Sequence, residues 1–173
     1  MLEIRIDDVL QIGWGSFHHY CRLRDKSAWE WFLETDKIFE KYDYPCTLVV
    51  LADGIDKLPQ WVEYIKKYQR RYKIELHGSS HHYYDKMTAE EGYKDLLQAK
   101  DKIEKEFDIK ITTWYVPYGR RHFPKWGKEV CDKLRINFDV EGRLISQHKF
   151  HYWHENQVKR VEKLIQCQIQ ERN

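Results

Sequence analysis

The sequence predicts an α/β protein, an incomplete or distorted (β/α) barrel of about six to seven mostly parallel strands with outer helices. Strand-like and helix-like segments alternate along most of the 173 residues without a linker or a repeat. Such alternation favours a parallel sheet covered by helices. A full eightfold barrel typically needs about 250 residues, so an incomplete barrel fits this length better. We expect one domain over residues 1–173, because single domains cluster at roughly 100–200 residues.

The predicted strands are short apolar or alternating runs that stop at turn residues. Residues 47–51 are continuously apolar, which is typical of a parallel strand covered on both faces. Residues 2–6 alternate apolar and charged side chains and end at an acidic pair. The remaining predicted strands are 73–76, 109–115, 136–140 and 144–146.

The predicted helices carry apolar residues three and four positions apart behind a start signal. Ser27 and Thr88 each precede a glutamate by three residues, which is the capping-box pattern. Pro59 and Pro124 each open a further amphipathic segment. We therefore expect helices at about 27–42, 58–68, 88–107, 124–134 and 155–170.

Composition argues against several classes of protein. Lys and Arg total 30 against 28 Asp and Glu, a mixed surface unlike the one-signed field of a dedicated nucleic-acid binder. The longest apolar run, 48–52, is too short to cross a bilayer, and the first residues contain no apolar signal-peptide core. We therefore expect a cytoplasmic protein that binds neither nucleic acid nor membrane. We expect it to be a monomer or a weak homo-oligomer.

Metal-ligating side chains recur where the predicted strands end. Asp7 and Asp8 follow the first strand, and His77 and His81 lie four apart across a glycine after the third. The carboxyl ends of parallel strands meet at one edge of the sheet, so we expect these side chains to lie together. Two imidazoles and one carboxylate make a three-ligand metal site with a fourth position for water. The sequence therefore predicts a divalent metal site at this edge.

Four segments, in this order, resemble the motifs of the polysaccharide deacetylase family (carbohydrate esterase family 4). The resemblance runs over nearly the whole chain, and its first two motifs together with Pro-Tyr-Gly of the third are specific, whereas the last is loose. The segments are residues 5–9 (Arg-Ile-Asp-Asp-Val), 77–81 (His-Gly-Ser-Ser-His), 114–119 (Trp-Tyr-Val-Pro-Tyr-Gly) and 144–148 (Leu-Ile-Ser-Gln-His).

The resemblance implies a hydrolase that removes acetyl groups from an N-acetylated, or less readily an O-acetylated, carbohydrate through a metal-activated water. Asp8, His77 and His81 would hold one divalent ion. Zn is the first choice, although Fe, Co and Ni also suit these ligands. By the same resemblance, Asp7 would be the general base and the backbone N–H of Tyr118 would stabilise the oxyanion.

The resemblance also implies a general acid and substrate contacts, on less specific parts of the chain. His148 would protonate the departing amine, with His151 and His154 as alternatives. Aromatic rings near the site could stack on a sugar face. The expected substrate-binding residues are Trp14, Trp114 and Pro117.

Three positions depart from the family pattern. Tyr115 replaces the arginine of the third motif that pairs with the base, Val9 replaces a glycine, and Gly78 replaces Ser or Thr. A substitute partner for the base would have to come from elsewhere in the chain. The candidates are Arg5, Arg120 and Arg121.

Other functions stay open on the sequence alone. One is a non-catalytic carbohydrate-binding descendant of the same fold, which the loss of the motif arginine would fit. Another is a metal-dependent hydrolase of a different amide. A nucleic-acid-binding module built on the aromatic and Arg-rich segments is least favoured, because the charges are evenly mixed.

Overall fold

A computed structural model describes residues 4–12, 28–140 and 154–170 of the chain. In this part, five strands form one parallel sheet in the order β1-β2-β3-β4-β5, and no described strand pairing closes it. The open, helix-flanked parallel sheet confirms the predicted incomplete barrel, while the predicted strand at 144–146 lies outside the described residues. The strands are β1 (Ile4–Val9), β2 (Cys46–Leu51), β3 (Tyr72–Gly78), β4 (Thr113–Tyr115) and β5 (Asn137–Asp139).

The helices follow the predicted pattern closely. Thr88 caps the third helix as expected: its hydroxyl accepts from the Glu91 N–H, and the Glu91 carboxylate accepts from the Thr88 N–H at 2.8 Å. The predicted Ser27 cap lies outside the described residues. None of the described helices combines the length and apolar character that a membrane crossing requires. The helices are α1 (Ala28–Lys41), α2 (Pro59–Lys67), α3 (Ala89–Phe107), α4 (Gly127–Leu134) and α5 (His154–Gln170).

A buried carboxylate ties α1 and α2 to the start of β3. Asp36 accepts hydrogen bonds from the Tyr64 hydroxyl at 2.6 Å, the Arg71 guanidinium at 2.7 Å and the Tyr72 hydroxyl at 2.5 Å. A buried charge is stable only when such partners replace its lost water. This cluster lies at the end of β3 opposite to the histidines, so it supports the sheet without touching the candidate site.

The strand predicted at 109–115 is shorter in the structure, because side chains take up the backbone N–H groups before Thr113. Ile111 donates its N–H to Glu104 at 2.9 Å, and Thr112 donates to the Glu75 carboxylate at 2.9 Å. Thr113 donates to the same Glu75 oxygen at 2.9 Å. The sheet ladder to β3 therefore starts only at Trp114.

Candidate metal centre

Two β-bulges lie at the strand ends that carry the predicted ligands. Between Ile6 and Val9, β1 has one residue more than β2, and between Leu76 and Gly78, β3 has one residue more than β2. A regular strand aims adjacent side chains at opposite faces, whereas a bulge re-aims them. Asp8 also adopts a left-handed backbone with φ 61°. The bulges therefore decide where the acidic pair and the first histidine point.

The structure brings the three predicted ligands together in the protein interior. Asp8 Oδ1 lies 3.2 Å from His77 Nε2 and 3.1 Å from His81 Nε2. One ligand atom from each residue lies within 4.8 Å of the others, and all three residues are buried. His82, the adjacent histidine, is not part of this cluster: its Nε2 lies 3.9 Å from Asp95.

The hydrogen bond of His77 leaves its other ring nitrogen in a position that suits metal binding. His77 Nδ1 lies 2.6 Å from the Tyr115 carbonyl oxygen. A carbonyl can only accept, so Nδ1 carries the proton, and in the neutral tautomer the Nε2 lone pair faces Asp8. A nitrogen lone pair and a carboxylate oxygen 3.2 Å apart repel each other, and a cation bound by both atoms would relieve that repulsion. Imidazole nitrogen and carboxylate oxygen are ligands that suit Zn and neighbouring transition metals.

The loop between the two histidines depends on a glycine. Gly78 has φ 129°, and a Cβ at this position would lie 2.0 Å from the Tyr84 hydroxyl oxygen. That hydroxyl donates to Asp95 at 2.5 Å, and the Ser79 hydroxyl donates to the same carboxylate. Both the backbone conformation and the buried Tyr84 ring therefore exclude a side chain at 78. This accounts for Gly78 at a position where the resembled motif carries Ser or Thr.

Asp7 lies beside the cluster and is held by an arginine of its own strand. Arg5 Nε lies 2.6 Å from Asp7 Oδ1, and Arg5 Nη2 donates to Asp7 Oδ2 at 3.1 Å. Burial raises the pKa of the Asp7 carboxyl, and the positive charge of Arg5 opposes that rise. Of the three arginines considered from the sequence, Arg5 is thus a partner of this carboxylate.

A turn brings the Tyr118 ring against His81. The Gly119 N–H donates to the Val116 carbonyl at 3.0 Å, and Tyr118 has φ 61° and ψ 2°, the geometry of a type II turn. A non-glycine residue in this conformation is strained, which is common at functional sites. The Tyr118 ring lies 4.3 Å from the His81 ring and stacks on Tyr83 at 4.2 Å. Burial raises the pKa of the Tyr118 phenol.

Two of the residues predicted to contact substrate are buried in the structure. Trp114 is 0% exposed and packs on Tyr84 at 5.0 Å and parallel to Trp126 at 6.3 Å, so no face of its ring is open to a sugar. Pro117 is also buried, and its role is to shape the turn. Neither residue therefore offers an exposed side chain in this structure, and their contacts with substrate stay predictions. Trp14 and His148 lie outside the described residues.

Tyr83, which no sequence motif singles out, has an exposed aromatic ring near the candidate ligands. Its side chain is 46% exposed, and it stacks on Tyr118, whose ring contacts His81. The sequence signal for Tyr83 is weak: it is one of two adjacent tyrosines shortly after a ligand histidine. Only the fold distinguishes it from Tyr84, which is fully buried.

Comparison with known families agrees with this geometry. The family model described as polysaccharide deacetylase matches residues 25–135, more than half of the chain. The chain belongs to the polysaccharide deacetylase family. No curated protein matches the chain in sequence.

Solved structures of this family share the fold at low identity. The family 4 carbohydrate esterase from Streptomyces lividans, in complex with acetate, has a TM-score of 0.68 at 11% identity over 98% of this chain and 88% of its own. A structure described as T48 deacetylase with substrate has a TM-score of 0.53 at 18% identity over 95% of this chain and 81% of its own.

The solved structures that resemble this member of the polysaccharide deacetylase family also include a pseudoenzyme. One of these structures is a mutant of a family 4 pseudoenzyme from Bacillus anthracis in which enzymatic activity has been restored. It has a TM-score of 0.61 at 16% identity over 80% of this chain. This chain spans only 43% of that protein's length. The shared fold is therefore compatible with active and inactive members, and activity has to be argued from the site.

Proposed function

We propose that the chain is a metal-dependent hydrolase that removes acetyl groups from an N-acetylated, or less readily an O-acetylated, carbohydrate. The observation that carries this proposal is the buried cluster of Asp8, His77 and His81, with the Asp7 carboxylate held beside it. Membership of the polysaccharide deacetylase family supports the same reaction class. One divalent ion, Zn first and Fe, Co or Ni as alternatives, would be held by the three ligands.

The bound ion would supply Lewis acidity and lower the pKa of a water to about 7. The proton transfers fall to side chains of the protein. Asp7 would take the proton of the attacking water, because it adjoins Asp8 and its two oxygens are held in place by Arg5. The backbone N–H of Tyr118, in its strained turn, would donate to the oxyanion.

The departing amine needs a proton, which we assign to His148, with His151 and His154 as alternatives. His154 is the first residue of α5, and the other two lie outside the described residues. Water adds to the acetyl carbon first, and the C–N bond breaks when the tetrahedral intermediate collapses and the amine is protonated. The products are acetate and a free amino sugar.

The test measures the acetate that the protein releases from N-acetylated oligosaccharides. Bound metal is first removed from the protein with a chelator, and zinc is then added back. Asp7→Asn is expected to keep the metal and to lose turnover by about 10²–10⁴-fold, because a general base contributes that much. Asp8→Ala is expected to lose the metal as well. Asp132→Asn, an exposed acid on α4 paired with Lys128, is the matched control and should retain full turnover. Full turnover by Asp7→Asn would contradict the role of Asp7.

A second function is favoured by one observation, the likeness to a family 4 pseudoenzyme. On that reading, the chain binds acetylated carbohydrate without hydrolysing it. Saturable binding of the oligosaccharide at full metal occupancy, with no acetate released, would support this function and reject hydrolysis. Release of acetate from other amides but not from sugars would instead identify a different substrate class.

A further inference from the structure

The Arg5 side chain makes a two-pronged contact with Asp7 in the protein interior. Nε and Nη2 of the guanidinium reach the two carboxylate oxygens at 2.6 and 3.1 Å. The side chains are only 7% and 9% exposed, so water screens this pair weakly. A bidentate guanidinium fixes the plane of a carboxylate as well as its charge, which a single ammonium cannot do.

The same guanidinium also touches the two strands at the far edge of the sheet. Arg5 Nη1 lies 3.6 Å from Asp139 Oδ2 on β5, and Arg5 Cζ lies 4.5 Å above the ring of Tyr115 on β4. β1 and β5 are the two outermost strands of the described sheet. Because Arg5 reaches from one edge to the other, the sheet must curl around it.

We propose that Arg5 is the positioning residue for Asp7, and that Tyr115 is the aromatic platform on which the Arg5 guanidinium rests. The bulge sets the direction in which the Asp7 side chain leaves the backbone, and the contacts with Arg5 fix the plane of its carboxylate. The guanidinium therefore orients the carboxylate toward the cluster of Asp8 and the two histidines. The catalytic meaning of this arrangement rests on the proposed function, whereas the orientation of Asp7 does not.

The arrangement explains how Tyr115 can stand where the resembled motif carries an arginine. The positive group reaches the carboxylate from β1, and an aromatic ring on β4 fills the space below it. A cation above an aromatic face is attracted by the ring, most strongly when water is excluded. The charge partner of Asp7 is thus retained in this chain although its position in the sequence has moved.

Two variants separate positioning from a merely structural role. Arg5→Lys keeps the positive charge but loses the guanidinium that contacts both carboxylate oxygens. The double variant Arg5→Met/Tyr115→Arg moves a guanidinium from β1 to β4. The matched control is Arg71→Met: Arg71 also pairs with a buried aspartate, Asp36 at 2.7 Å, and also stacks on a tyrosine, but at the opposite end of β3.

Zinc affinity, kcat, KM and the crystal structure are measured for each variant. The Kd of Arg5→Lys for zinc is expected to lie within about twofold of that of the unmodified chain. Its kcat should fall roughly tenfold to a hundredfold with little change in KM, because a displaced catalytic group produces an effect of this size. The crystal structure should show the Asp7 carboxylate rotated. The double variant should recover at least about tenfold of the lost kcat, with Asp7 returned to its place. Arg71→Met should lower stability but leave kcat of the folded protein unchanged.

Two results would overturn the inference: an unmoved Asp7 carboxylate in Arg5→Lys, or a kcat in that variant equal to that of the unmodified chain. A loss of kcat that merely follows a loss of zinc would overturn it too. If the unmodified, zinc-loaded chain releases no acetate, the proposed function fails. In that case the orientation of Asp7 in the variant structures still decides the positioning role.

Discussion

Removal of one histidine should abolish the stabilisation that zinc confers on this protein. His81 Nε2 lies 3.1 Å from Asp8 Oδ1 and belongs to one of the three proposed ligands, so His81→Ala would leave two. The adjacent His82 is 41% exposed and lies outside the cluster, which makes His82→Ala a matched control in the same loop. Both variants remove an imidazole, and only one removes a ligand.

The size of the effect follows from linkage between metal binding and unfolding. A ligand that binds only the folded state stabilises it by about 2.7 kcal/mol when its free concentration is 100 times Kd. For a chain of this length, about 1 kcal/mol moves Tm by roughly 2–4 °C, so zinc should raise Tm by about 5–11 °C. Changing a residue that only supports a ligand already costs 10–100-fold in affinity, so loss of a ligand itself should cost about 100-fold or more. At the same zinc concentration, His81→Ala would then gain no more than about 0.4 kcal/mol, or roughly 1 °C.

The assay is thermal unfolding of chelator-treated protein with and without added zinc, together with calorimetric titration to count ions per chain. The unmodified chain and His82→Ala should show the full rise in Tm and one ion per chain. His81→Ala should show almost none of the rise. An equal rise in His81→Ala and the unmodified chain would refute the three-ligand assignment, and a loss confined to His82→Ala would move the site to the neighbouring histidine.

Two further predictions concern the substrate surface and the fold. Tyr83→Ala should raise KM for an acetylated oligosaccharide about fivefold with kcat retained, because an aromatic contact contributes about 1 kcal/mol. Tyr83→Phe should behave like the unmodified chain. If steady-state kinetics give Tyr83→Ala the same KM as the unmodified chain, Tyr83 does not belong to the substrate surface. Asp36→Ala should lower the free energy of unfolding by about 3–5 kcal/mol in urea denaturation. The substitution leaves the Arg71 charge and two tyrosine hydroxyls without their acceptor. A loss below about 1 kcal/mol would contradict the importance of this cluster for stability.

The ligand set could be predicted because its signals are local in the sequence. His77 and His81 are separated by one short loop, and Asp7 and Asp8 are neighbours at the end of an alternating run. Parallel strands bring their carboxyl ends to one edge, so strand order hardly matters for this inference. The sequence could not show that each strand carries a bulge there, since a bulge is defined by its pairing with β2.

The burial of Trp114 and Pro117 could not be predicted from the sequence, for a common physical reason. Both residues lie in a motif close to the site, yet proximity along the chain does not say which way a side chain points. Trp114 packs between Tyr84 and Trp126, which come from segments before and after it in the sequence. Whether an aromatic ring faces solvent is therefore decided by distant neighbours, and the same holds for the exposure of Tyr83.

The sequence by itself determined the parallel α/β architecture, the helix boundaries to within a few residues and the Asp8, His77 and His81 set, because periodicity and strand-end chemistry are written in adjacent residues. Tertiary structure alone decided which arginine meets Asp7. Arg5 serves because the open sheet curls until β1 faces β4 and β5, which places Tyr115 under the guanidinium and Asp139 beside it. Arg5 is more than a hundred residues away from both Tyr115 and Asp139 in the sequence, so no local pattern encodes these contacts.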